Sequence, residues 1–150
     1  MSLDCTRRIQ FCAGHRVMGH ENKCAHLHGH NYVAFFKAEA MAGVPELDEI
    51  GRVVDFSVLK KEMGGWIEHF WDHGFILSAE DVEALEIIQY FPVRPFEEQK
   101  LYIMDDNPTA ENMARHLLKK VAPKLFGGEG IRIVSVRIWE TENCYAEASL

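Results

Sequence analysis

No stretch of this sequence approaches the roughly 18 unbroken apolar residues that a membrane-spanning helix requires, which argues against a helical membrane protein. Positive charge is scarce as well. Sixteen Lys and Arg face 23 Asp and Glu, a formal net charge of -7, which argues against non-specific binding to nucleic acid. A small anionic ligand stays possible, because its site needs only a few placed cations. Arg7, Arg8, Arg16 and Lys23 lie close in sequence to the histidines described below, although each taken singly reads as a solvated surface charge. The N-terminal residues lack the apolar core of a signal peptide, so the cytoplasm is the expected location. Four cysteines without a secretion signal or a dense framework are expected to be free thiols. Internal repeats and low-complexity segments are absent too.

What is present suits one globular domain over residues 1–150, with 47% hydrophobic and 26% charged residues. Thr6 to Ala13 reads as a strand, Gly14 to Ala25 as a polar loop, and His30 to Ala40 as a long aromatic and β-branched strand. From Asp55, the residues Val58, Leu59, Met63, Trp66, Ile67 and Phe70 recur at helical spacing. Asp55 or Ser57 is suited to cap that helix, Gly64-Gly65 to weaken or bend it, and Gly74 to stop it. Ser78 and Asp81 resemble a capping arrangement before a short helix, Pro92 and Pro95 mark a loop, and Lys100 to Met104 reads as a short strand. Pro108-Thr109 opens a second long helix with a core stripe of Met113, Leu117, Val121 and Leu125. Strands over Ile131–Trp139 and Cys144–Ala148 close the chain. This order predicts an α+β fold: a small antiparallel β-sheet with two main helices on one face. The other face and the edges then need covering, so a homo-oligomer is expected.

Five of the eight histidines fall between His15 and His30. In extended chain, residues i and i+2 point to one face, so His28 and His30 can reach a single ion. Gly29 is expected to keep the space between them clear. The run Phe11-x-Ala13-x-His15 has the same period and places His15 at the end of the neighbouring strand. Three imidazoles without a fourth protein ligand form the pattern of a catalytic Zn2+ with an open position. His20 and His26 read as solvent-facing or supporting residues. Cys24, four residues before His28, has two readings: a fourth ligand that closes a structural site, or a thiolate acting as base or nucleophile beside the metal. In Asp72-His73 a carboxylate adjoins an imidazole, but neighbouring side chains on a helix diverge. Glu140 alone is an ordinary strand-end carboxylate.

Six motifs in order resemble the 6-pyruvoyltetrahydropterin and 6-carboxytetrahydropterin synthase family. They are Phe11-x-Ala13-x-His15, Cys24-x-x-x-His28-Gly29-His30-Asn31-Tyr32, Val54-Asp55-Phe56, Asp72-His73, Asn107-Pro108-Thr109-Ala110-Glu111-Asn112 and Trp139-Glu140-Thr141. The resemblance implies His15, His28 and His30 as zinc ligands, Cys24 as general base, and His73 as catalytic histidine with Asp72 its partner. It implies Glu140 as the carboxylate that anchors the pterin ring and joins the proton relay, with Thr109 and Glu111 near the pterin pocket. The implied substrate is 7,8-dihydroneopterin triphosphate. The implied fold is the tunnelling fold, in which sheets from several subunits join into a barrel. Active sites then lie at subunit interfaces, commonly in a hexamer.

Three residues separate Cys24 from the His28-Gly29-His30 motif, as in the bacterial carboxy synthases, whereas animal pyruvoyl enzymes usually have five. The resemblance therefore favours 6-carboxytetrahydropterin formation with loss of acetaldehyde and triphosphate, a step toward queuosine-type deazapurines. A pyruvoyl synthase and a non-catalytic zinc-binding or ligand-binding protein on the same scaffold are the alternatives. A cupin places its remaining ligands after the H-x-H, which the upstream His15 contradicts. Two departures from the family pattern are Gly74-Phe75-Ile76-Leu77-Ser78 after Asp72-His73 and a longer section from Ala79 to Asp106.

Overall fold

A computed structural model describes residues 2–95 and 98–150; Phe96 and Glu97, in the loop expected after Pro92 and Pro95, lie outside the described residues, as does Met1. Alternating inward apolar and outward polar side chains build two long strands, β1 (Cys5–His15) and β2 (His28–Ala40), paired antiparallel over the whole of β1. β5 (Ile131–Thr141) pairs antiparallel with β2, and β6 (Cys144–Ser149) with β5. These four strands are the expected antiparallel part of the sheet.

Two further strands depart from that expectation. β3 (Gly74–Ser78) runs parallel to β1, and β4 (Leu101–Met104) runs parallel to β3, giving the order β4-β3-β1-β2-β5-β6. The helix α3 (Val82–Gln89), capped by Asp81, supplies the crossover between them. The longer section from Ala79 to Asp106 is thus a helix and strand that widen the sheet. Gly74 accordingly opens a strand and is not a helix stop.

The first helical segment starts at α1 (Phe56–Leu59), where the Asp55 side chain accepts from the Ser57 N–H. It loosens into a π-helical turn over Lys60–Gly64 and resumes as α2 (Gly65–Phe70). The irregular turn ends at Gly64, in the Gly64-Gly65 pair expected to weaken or bend the helix. A Cβ on Gly64 would lie 3.2 Å from Ile9 Cδ1, so glycine lets the helix approach β1 closely. The second segment has the same build: α4 (Ala110–His116), a π-helical turn (Leu117–Val121) and α5 (Ala122–Leu125). Both segments cover one face of the sheet. Leu59, Met63, Ile67, Trp71, Met113 and Leu117 bury against Phe11, Tyr32, Phe36, Val136 and Ile138 in one core. On the opposite face α3 packs over β3 through Leu77, Ala84 and Ile88, whereas β1, β2 and β5 carry no helix there among the described residues and form a groove of about 730 Å³ lined by Arg8, Gln10, Val33, Phe35, Arg137 and Trp139, among others.

Candidate metal centre and adjoining clefts

The pairing of β1 with β2 sets His15 opposite His28 and Ala13 opposite His30. All three imidazoles therefore reach the inner face at one end of the sheet. Their ring centroids lie 4.6, 5.1 and 4.9 Å apart, and one donor atom from each falls within 4.8 Å of the others. Gly29 does not clear space between them. It faces the opposite side of the sheet, where a Cβ would lie 3.1 Å from the Ala13 carbonyl oxygen.

The ring nitrogens are oriented for a cation. His15 Nδ1 lies 2.7 Å from the Pro108 carbonyl oxygen, and His28 Nδ1 lies 2.7 Å from that of His26. Carbonyls only accept, so both Nδ1 atoms carry the proton and both Nε2 atoms present lone pairs. Those two Nε2 atoms face each other at 3.1 Å. His30 Nε2 is buried without a hydrogen-bond partner; Glu140 Oε1 stands 3.2 Å away but outside hydrogen-bonding geometry. A positive ion among these nitrogens relieves all three deficits, so the donor set fits a divalent metal. Burial also favours the neutral forms of His15 and His30. It lowers the His15 pKa to about 4, against the opposing Pro108 hydrogen bond, and it lowers that of His30 against the opposing Glu140 charge.

Cys24 stands outside the histidine cluster. It is half-buried in a short turn (Lys23–Ala25) and lines a cleft of about 330 Å³ with Thr109, Glu111, Glu140, His20 and Tyr145. Four of the residues named by resemblance thus share one cleft. The loop bearing Cys24 is tied down at several points. Val17 N–H donates to the Cys24 carbonyl, and Arg16 forms a two-pronged ion pair with Asp81. The Asn107 side chain accepts from the Met18 N–H and donates to the Met18 carbonyl. The Asn107-Pro108-Thr109 motif therefore has three separable roles: Asn107 clamps the loop, the Pro108 carbonyl orients His15, and Thr109 caps α4 by accepting from the Asn112 N–H. The clamp and the carbonyl bond escape sequence reading because both partners are more than 80 residues away.

Asp72 and His73 do meet, unlike neighbours on a helix. His73 has a positive φ of 59°, which turns its ring back so that Nδ1 lies 2.8 Å from Asp72 Oδ2. Asp72 Oδ1 accepts the Cys12 N–H, and the pair is thereby docked on β1. Its hydrogen bonds and neighbouring cations hold the Asp72 carboxyl below its ordinary pKa, although burial, the largest single influence, opposes them. The His73 ring is largely exposed and lines a different cleft, with Cys12, Gly29, His30 and Asn31. Within one chain, Cys24 and His73 open on separate clefts.

Residues 4–149 match the family model described as 6-pyruvoyl tetrahydropterin synthase. The chain belongs to that family. A Rickettsia bellii protein named 6-carboxy-5,6,7,8-tetrahydropterin synthase is 41% identical over 145 residues, covering 97% of this chain and 99% of its own. An Aquifex aeolicus protein of the same name is 30% identical, covering 98% of each chain. Among solved structures, an uncharacterized Wolinella succinogenes protein superposes with a TM-score of 0.82 at 21% identity, covering 99% of this chain and 98% of its own. The Plasmodium falciparum 6-pyruvoyl tetrahydropterin synthase does so with 0.67 at 18%, covering 98% and 96%. These two establish the tunnelling fold. As a pterin synthase of this family, the chain is an enzyme of the lyase class. No described helix is long and apolar enough to cross a membrane.

Proposed function

We propose that this pterin synthase converts 7,8-dihydroneopterin triphosphate to 6-carboxy-5,6,7,8-tetrahydropterin, releasing acetaldehyde and triphosphate, with Zn2+ as its metal. The observation that carries the reading is the convergence of three imidazoles beside a cleft holding Cys24 and Glu140. His15, His28 and His30 would hold the zinc; two fixed Nδ1–H groups and an all-imidazole donor set suit that ion. When bound, zinc supplies Lewis-acid stabilisation of negative charge that develops on substrate oxygens. The protein's own groups do the rest. Cys24 takes a proton from the substrate side chain. Glu140 accepts two hydrogen bonds from the 2-amino group and adjacent ring nitrogen of the pterin. Thr109 and Glu111 form the wall of that pocket. His73, oriented by Asp72, returns the proton.

A homo-oligomer, expected to be a hexamer, brings the two clefts together. β3 covers β1 only over Ala13–His15, so the edge of β1 from Cys5 to Phe11 has no strand beside it among the described residues. The outer edge of β6 is likewise bare. A neighbour pairing along these edges would join the sheets and set its own His73 against Cys24. The three-residue spacing of Cys24 from the histidines and the names of the relatives support the carboxy product over the pyruvoyl one.

The test is incubation of the zinc-loaded protein with dihydroneopterin triphosphate, followed by mass analysis of the pterin and an acetaldehyde assay. Carboxy product with stoichiometric acetaldehyde is expected. Pyruvoyl product without acetaldehyde overturns the product assignment and leaves the family intact. Shared sites have their own test: co-assembled Cys24→Ala and His73→Gln chains turn over faster than either variant alone.

A further inference from the structure

The segment joining β3 to β4 carries one side chain back to the turn that holds His73. Lys100 Nζ donates to the carbonyl oxygens of Glu68 and Asp72, each at 2.6 Å. Both carbonyls lie where α2 ends, among groups that have no partner inside a helix. Their neighbours are already engaged: Ile67 O accepts from the Trp71 and Asp72 N–H groups, and Trp71 O accepts from the Gly74 N–H. An ammonium here satisfies the Glu68 and Asp72 carbonyls and sits at the negative end of the helix dipole.

The Asp72 carbonyl and the His73 N–H belong to one peptide unit. The N–H donates to the Cys12 carbonyl at 2.7 Å, so β1 holds that peptide from one side and Lys100 from the other. The backbone of Lys100 adds a third grip, its carbonyl accepting the Phe75 N–H at 2.9 Å. Its side-chain stem lies under Gly74, where a Cβ would meet Lys100 Cγ at 3.0 Å. Enclosure of this kind is what a positive φ at His73 requires, because a residue with a Cβ pays about 1–2 kcal/mol there. Freed of it, the peptide relaxes toward negative φ and swings the imidazole off Asp72.

We propose that Lys100 is a positioning residue, which holds the Asp72–His73 pair in the geometry used for proton transfer. This rests on the reading of His73 given above. Lys100 belongs to the longer section between the family motifs, so the extra helix and strand also brace the reactive turn.

The test compares zinc-loaded wild type, Lys100→Met, Lys100→Arg, His73→Gln and the Lys100→Met/His73→Gln double variant on dihydroneopterin triphosphate. A reacting group displaced by about 1 Å costs on the order of a hundredfold in rate. Lys100→Met is therefore expected to lower kcat between tenfold and a hundredfold, with KM and bound zinc unchanged, and Lys100→Arg to recover most of it. In the His73→Gln background, Lys100→Met should change kcat less than about twofold, because the two residues act as one unit. Equal losses in both backgrounds, or no loss in either, overturn the proposal. Unimpaired turnover in His73→Gln instead removes the reading of His73 and the catalytic part of this inference with it. Amide hydrogen exchange at His73 tests the hold itself without substrate: it should quicken at least tenfold in Lys100→Met, and an unchanged rate also overturns the proposal. If Lys100→Met does not fold, Lys100→Gln keeps most of the stem over Gly74 and serves in every comparison.

Discussion

The proposed binding of zinc by His15, His28 and His30 without Cys24 makes a quantitative prediction about thermal stability. An ion that binds only the folded state, at a free concentration a thousandfold above its Kd, stabilises that state by about 4 kcal/mol. A chain of 150 residues unfolds with an entropy of about 0.3 kcal/mol/K, so zinc should raise Tm by about 13 °C. Because Cys24 lies outside the donor cluster, Cys24→Ala should keep essentially the whole shift while turnover falls by 10²–10⁴-fold. His28→Ala removes one of two Nε2 lone pairs facing each other at 3.1 Å and should abolish most of the shift. The assay is differential scanning fluorimetry at buffered free zinc, set from the wild-type Kd and run beside a zinc count per chain. A structural site with Cys24 as fourth ligand gives another number. A hundredfold weaker Cys24→Ala site, at the same free zinc, would be stabilised by only about 1.4 kcal/mol, or roughly 4 °C. That smaller shift in Cys24→Ala would refute the assignment of Cys24 as a base outside the coordination sphere.

The remaining predictions concern the frame around the site. Asp81→Ala strands the Arg16 guanidinium and uncaps α3; with Asp81 2% exposed and Arg16 23%, the expected loss is about 3 kcal/mol by urea denaturation. The Arg16 hydrogen bonds hold the Asp81 carboxyl below its ordinary range, so this stabilisation is full above about pH 4 and is lost as acidity passes the lowered value. A wild-type acid-denaturation curve that Asp81→Asn leaves unmoved would contradict it. Asn107→Ala frees both backbone groups of Met18 and should cost about 1–3 kcal/mol, with faster hydrogen exchange in the loop around Cys24. The Tyr32 hydroxyl is fully buried with no partner among the described residues, and burial raises its pKa so that it stays protonated. Tyr32→Phe should therefore be neutral or stabilising in Tm; a loss above about 1 kcal/mol would reveal a bound water or ligand at that hydroxyl.

The parts legible in the sequence are those whose signal is periodic. The two-residue period of Phe11, Ala13 and His15, and of His28 and His30, names one face of two strands, and the register of β1 on β2 then brings the imidazoles together. The helical stripes of Met63 and Ile67, and of Met113 and Leu117, name the covered face of the sheet in the same way. β3 escapes because parallel strands bury both faces and show no alternation; Phe75-Ile76-Leu77 reads only as an apolar run. The Asp72–His73 pair is named by the family resemblance, but its contact within one chain escapes for a different reason. Its geometry hangs on one positive φ, and nothing within that dipeptide marks the residue that sustains it.

The same contrast explains why the chemistry of this chain was easier to read than its support. A ligand or a base must be a particular residue type, so motif and spacing expose it. A residue that props a turn need only deliver a donor to a carbonyl, and many types at many positions can do that. Lys100 reaches Asp72 because β4 lies parallel to β3, a pairing that itself depends on the α3 crossover. Its contribution becomes visible only once that topology is known. Substitutions in the section from Ala79 to Asp106 are therefore expected to alter kcat through the His73 turn more than they alter zinc affinity. The three zinc-ligand candidates sit on β1 and β2, whose mutual pairing does not involve β4.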